Sequence, residues 1–160
     1  MERNRRPHRI LLIDDNKHGL RARRIILEDL GYEVAIVESG EEGVERFREA
    51  LDDKPFSLVV TDYRMPGICG DEVVRQIRAL APGQPVVILS GYTEVLALAP
   101  ESTGADAVLA KGSREQFDLA DTVRDLVAGG DRPRAKPPAS ETVSSSGKTV
   151  PRPRRANARR

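Results

Sequence analysis

Five polar residues hold the chemistry this sequence could perform. Asp14 and Asp15 follow the apolar run Ile10–Ile13, Asp62 follows Ser57–Thr61, Ser90 follows Val86–Leu89, and Lys111 follows Ala107–Ala110. Singly, each has an ordinary explanation. An Asp after a strand is often a helix N-cap, and a lone Lys is usually a solvated charge. Together they stand just where four short apolar runs end, and none interrupts a run. Three carboxylates gathered at one edge repel each other unless a cation sits among them. An all-oxygen set completed partly by water best suits Mg2+. A carboxylate, a divalent metal, a lysine and a hydroxyl are the parts needed to accept a phosphoryl group.

That grouping depends on the elements that carry the residues. Ile10–Ile13, Glu33–Val37, Ser57–Thr61, Val86–Leu89 and Ala107–Ala110 have strand length and are mostly unbroken by charge. Such runs suit a parallel sheet covered on both faces. Amphipathic stretches lie between them. Leu20, Leu27 and Leu30 carry the first, ended by Gly31. Val44, Phe47 and Leu51 carry the second, opened by the capping-box spacing of Ser39-Gly40-Glu41-Glu42. Val73, Val74, Ile77 and Leu80 mark a third, stopped by Pro82-Gly83. Ser113 with Gln116, then Phe117, Ala120, Val123 and Val127, mark the last. Thr93–Ala99 is the weak fourth, cut short by Pro100. Five strand–helix alternations predict an open α/β fold, a flavodoxin-like (βα)5 doubly wound parallel sheet of strand order 2-1-3-4-5. In that order the first and third strands are neighbours, which brings Asp14, Asp15 and Asp62 together.

Composition divides the chain further. Of 160 residues, 39% are hydrophobic, but residues 129–160 contain only six such residues, four of them alanine. That segment has nine Lys/Arg against Asp131 and Glu141, with scattered Pro and Ser. It reads as a disordered basic tail. Residues 1–8 read as a short basic arm and 9–128 as the domain. The domain is acidic, so an acidic globule lies between basic ends, an asymmetry that concerns partners rather than fold.

Other classes fail on residue types. One Cys and two His cannot build a disulfide framework or a Cys/His zinc site. No apolar run nears the ~20 residues that span a bilayer, and the basic start lacks a signal peptide's apolar core. A cytoplasmic protein is expected. Neither a Gly-rich phosphate loop nor a Gly-x-Ser-x-Gly elbow is present. Cys69 reads as a passive turn residue, and His18 as solvated on the first helix.

Four segments, ILLIDDN (10–16), VVTDYRMPG (59–67), VVILSGYT (86–93) and LAKG (109–112), resemble the signature segments of response-regulator receiver domains. The resemblance covers roughly residues 9–128. It implies that Asp62 is the phospho-acceptor, taking a phosphoryl group from a sensor histidine kinase or phosphotransfer protein. It implies Mg2+ held directly by Asp15 and Asp62 with the backbone carbonyl of Arg64, and by Asp14 through water. Ser90 would hydrogen-bond the phosphate and Lys111 would pair with it. The chain would be an acceptor that switches binding to an unknown output protein, not an enzyme.

Two positions depart from the family pattern. The residue after the lysine, usually proline, is Gly112, which predicts a looser loop. The usual switch aromatic, three residues before the lysine, is Val108, so the last strand–helix face is expected to signal differently or weakly. Arg64 and Tyr92 occupy positions that tune acyl-phosphate hydrolysis in the family. The 32 tail residues lack the apolar stripes of a helix-turn-helix, so the chain reads as a stand-alone receiver. Two other readings remain: a receiver-fold scaffold that works without phosphorylation, and a protein whose basic tail binds nucleic acid or an acidic partner.

Overall fold

The computed structural model describes residues 6–91, 97–98 and 100–130. Most of the basic arm, Tyr92, most of the weak fourth helix and residues 131–160 of the tail lie outside the described residues.

The elements alternate in chain order: β1 (Arg9–Ile13), α1 (Lys17–Asp29), β2 (Glu33–Val37), α2 (Gly40–Ala50), β3 (Leu58–Asp62), α3 (Gly70–Leu80), β4 (Val86–Ser90), α4 (Pro100–Thr103), β5 (Ala107–Ala110) and α5 (Glu115–Gly130). The five strands form one sheet in the order β2-β1-β3-β4-β5, all pairs parallel. This is the expected flavodoxin-like order. Residues on alternate sides of each strand feed two cores. Leu11, Ile13, Val59, Val86 and Ile88 face α2 and α3, where Val44, Phe47, Val73, Val74 and Ile77 pack. Ile10, Leu12, Leu58, Val60, Val87 and Leu89 face α1 and α5, where Leu20, Leu27, Leu119, Val123 and Val127 pack. Burial on both faces explains why the strands read as continuous apolar runs.

Local signals set the helix ends. Asn16, not either aspartate, caps α1: its side chain accepts from the backbone N–H groups of His18 and Gly19. Gly31 ends α1 at φ +94°, its N–H donating to the Glu28 carbonyl and that of Tyr32 to Leu27, the paired bonds of a Schellman stop. Ser39 Oγ accepts the Glu42 N–H at 3.2 Å. The Glu42 carboxylate returns to the N–H of Glu38, one residue beyond a true capping box.

Several expectations need correction. Pro100 opens the short α4, as its fixed φ and missing N–H permit in a first turn; the expected helix before it lies mostly outside the described residues. Asp62 and Ser90 are the last residues of β3 and β4, not residues beyond them. The buried face of α5 is Leu119, Val123 and Val127, while Phe117 is 68% exposed. Phe117 lies in the first turn, and the 3.6-residue period from Leu119 turns it outward. Leu30 is likewise 44% exposed, so the inward stripe of α1 is Leu20, Arg23 and Leu27. Helix α5 also runs through Gly129 and Gly130, slightly past the composition change.

Candidate functional site

Parallel pairing alone brings the expected residues to one edge. Ile13 is in register with Thr61, so Asp14 and Asp62 are neighbours at the carboxyl ends of β1 and β3. Asp62 pairs with Leu89, and Ser90 with Ala110. The Ser90 carbonyl then accepts the Lys111 N–H at 2.8 Å, which fixes where the lysine leaves the sheet. Ser90 is fully buried and Asp14 and Asp62 nearly so, while Asp15 is exposed. The carboxylates of Asp14, Asp15 and Asp62 each offer an oxygen within 4.8 Å of the others. Lys111 Nζ stands 2.9 Å from Asp62 Oδ1 and 3.4 Å from Asp14 Oδ2.

The two buried carboxylates are held differently. Burial pushes Asp14 up, but the Asn16 N–H, the Lys111 ammonium and the Arg23 guanidinium together hold it below the ordinary carboxylate range. Burial also raises Asp62; Lys111 opposes this, the Asp14 charge reinforces it, and the net direction is upward. The pair is thus split into one firmly ionised carboxylate and one costly to ionise, the usual result of like charges in one pocket.

An oxygen-only set of this span fits a hard divalent cation: oxygens around one Mg2+ at about 2.1 Å lie roughly 3–4 Å apart. Asp14 is occupied by the Arg23 guanidinium and Asp62 by the Lys111 ammonium, while Asp15 is exposed.

The loop between β3 and α3 completes the edge. Gly67 has φ +84°, and a side chain there would collide with Glu41. Glu41 Oε1 accepts the Ile68 N–H at 3.0 Å, latching the loop to the first turn of α2. A Cβ on Gly70 would come within 2.6 Å of the Asp62 carbonyl oxygen. Close backbone contact therefore requires glycine there. Arg64 is exposed in this loop, two residues beyond Asp62.

The two departures also have structural expression. Val108 is half-buried against the α2–α3 core, where an aliphatic side chain completes the packing. Gly112 is exposed, with open space around a would-be Cβ. His18 is exposed, as expected. Cys69 is the N-cap of α3, its thiol donating to Asp71 at 2.8 Å and pushed up in pKa chiefly by that contact.

A family model for the response regulator receiver domain matches residues 10–124. The chain belongs to that family. The receiver is 33% identical over 118 residues to the response regulator receiver protein CpdR of Brucella abortus, covering 74% of this chain and 92% of CpdR. It is 35% identical over 86 residues to the transcriptional regulatory protein ZraR of Escherichia coli K12, covering 54% of this chain. It spans only 19% of ZraR's length. Among solved structures, a CheY-like receiver domain protein from Methanospirillum hungatei superposes with a TM-score of 0.69 at 27% identity, over 79% of this chain and 98% of that one. The response regulator TrrA of Thermotoga maritima, in complex with Mg2+-BeF, gives 0.66 at 28% identity, over 74% and 98%.

Three site-edge residues escaped the sequence reading: Glu41, Arg23 and Glu115. For Arg23 a signal existed. It falls three residues after Leu20 and four before Leu27, on the buried stripe of α1, where a charge is out of place.

Proposed function

We propose that this receiver accepts a phosphoryl group on Asp62 in a Mg2+-dependent reaction and changes its partner binding as a result. The observation that carries the reading is the juxtaposition at Asp62. A nearly buried carboxylate has Lys111 Nζ at 2.9 Å on one side and two further carboxylates within 4.8 Å on the other. A bound Mg2+ would neutralise charge on the transferring group. Asp15, Asp62 and the Arg64 carbonyl are the proposed ligands, with Asp14 acting through water. The Asp62 carboxylate oxygen attacks phosphorus as the N–P bond to the donor's imidazole breaks and the neutral or protonated imidazole leaves. Lys111 moves to a phosphoryl oxygen, and the buried Ser90 hydroxyl donates a hydrogen bond to the phosphoryl group. Transfer of this kind needs positioning and charge stabilisation more than covalent assistance.

The donor is a phosphohistidine on a sensor kinase or phosphotransfer protein, and the receiver acts as acceptor and switch, not as an enzyme. TrrA, a relative in fold and sequence, is seen with Mg2+-BeF, which supports the metal assignment. No described helix is long and apolar enough to cross a membrane, which fits the proposed cytoplasmic setting.

The test is intact-protein mass after incubation with acetyl phosphate or a phosphorylated histidine kinase. The wild type should gain one phosphoryl group with Mg2+ and none with chelator, and Asp62→Asn should gain none. Labelling of Asp62→Asn, or no labelling of the wild type by either donor, would overturn the reading.

A further inference from the structure

Arg23 is 8% exposed, on a helix stripe otherwise made of leucines. Its guanidinium donates through Nη1 to Asp14 Oδ2 at 2.7 Å and through Nε to Glu115 Oε1 at 2.5 Å. Space for it is reserved one turn earlier: a Cβ on Gly19 would lie 2.9 Å from Arg23 Nη1. Burying a guanidinium is costly unless it is paired and its donors are used. Here the fork geometry, which a lysine cannot reproduce, serves two carboxylates on different elements.

The atom it contacts is decisive. Asp14 Oδ2 is also the oxygen that Lys111 Nζ approaches at 3.4 Å, so two cations share one carboxylate oxygen inside the acidic edge. Asp14, Asp15, Asp62 and Glu115 face Arg23 and Lys111. Four negative and two positive charges leave a deficit of two, the charge of one divalent cation. We propose that Arg23 is a positioning residue that sets the strength of cation binding: it neutralises Asp14 and holds its Oδ2, leaving that carboxylate to reach the metal only through water. The same guanidinium holds Glu115, in the first turn of α5, and so ties the Lys111 loop to α1. Gly112 gives that loop freedom, with nothing near its would-be Cβ; the Arg23–Glu115 pair restrains it from the other end.

This inference rests on the metal site of the proposed function, and its test is direct binding. Mg2+ is titrated calorimetrically into the full chain and its variants, with thermal melting as the check of folding. Arg23→Gln keeps a hydrogen-bond donor but removes the charge that lies 2.7 Å from Asp14 Oδ2, at one of the three converging carboxylates. It should tighten Mg2+ binding about tenfold, whereas a purely structural loss would weaken it. Arg23→Lys retains the charge and should stay within about twofold of the wild type. Glu115→Gln releases Arg23 wholly to Asp14 and should weaken binding by roughly three- to fivefold. A cooperatively melting Arg23→Gln that binds Mg2+ no more tightly than the wild type would overturn the proposal. Where Arg23→Gln does not fold, an unchanged affinity in Glu115→Gln overturns it. Mg2+ binding with these shifts but no phosphoryl uptake would sink the phospho-acceptor reading alone. A wild type that binds no Mg2+ would sink this one.

Discussion

Replacing Asp62 by Asn should make the receiver more stable in metal-free buffer, although it removes an ion pair. At an effective dielectric of about 20, two unit charges no more than 4.8 Å apart repel by at least about 3.5 kcal/mol. Asp62 feels that repulsion from Asp14 in full and from exposed Asp15 at roughly half, through solvent screening. Lys111 at 2.9 Å returns about 5.7 kcal/mol of attraction on the same scale. Even the minimum repulsion nearly offsets that attraction, so the ion pair leaves no net gain to cover the cost of burying the carboxylate, in keeping with the upward direction of its pKa. Asn keeps the shape and a hydrogen-bond acceptor for Lys111 without that cost. The expected gain is about 1–2 kcal/mol, or roughly 4–8 °C in melting temperature for a domain of this size.

The pH dependence has a definite sign. Because the folded pKa of Asp62 is raised, its contribution to stability is full below the ordinary 3.8 and is lost as pH rises through the folded value. The advantage of Asp62→Asn should therefore be complete at neutral pH and vanish below 3.8. Asp14 behaves oppositely: its contribution is present above 3.8 and lost as pH falls through its depressed folded value. Melting followed by circular dichroism in EDTA and in Mg2+, from pH 2 to 8, reads all of this. Mg2+ should raise the wild type more than the variant; a ligand at 100 times its Kd adds about 2.7 kcal/mol. If Asp62→Asn melts at or below the wild type in EDTA at pH 7, the Lys111 pair outweighs carboxylate burial and the reasoning is wrong.

Other substitutions follow from the same geometry. Lys111→Met leaves Asp14 and Asp62 without their shared cation; it should cost about 1–3 kcal/mol in EDTA, and Mg2+ should recover most of that in a melting experiment. Gly70→Ala places a Cβ 2.6 Å from the Asp62 carbonyl and should cost about 1–3 kcal/mol. It should also slow labelling by acetyl phosphate, and wild-type rates would show that the loop yields without moving the acceptor. Leu119→Ala empties the α1–α5 core and should cost about 2–5 kcal/mol by urea denaturation. Phe117→Ala should stay within about 0.5 kcal/mol, and the reverse ranking would place the wrong face of α5 in the core.

Much of the fold is written in one dimension. Uninterrupted β-branched and leucine runs can only be strands covered on both faces, and caps at Asn16, Ser39 and Gly31 act through neighbouring backbone groups. The polar residues ending Ile10–Ile13, Val86–Leu89 and Ala107–Ala110 were legible for the same reason: a parallel sheet brings strand ends to one edge, whatever its packing details. The rotation of α5 was not legible, because Phe117 and Leu119 are both apolar and only the docking of the helix chooses between them. Nor was the environment of Asp14. Sequence places two aspartates after β1 without distinguishing them. Burying one beside Arg23, while the other stays exposed, depends on α1 and α5 meeting over the edge of the sheet. Local sequence thus determined which residues reach the site. Long-range packing decided their charge balance, because electrostatic energy depends on distance and burial that no short stretch of chain sets by itself.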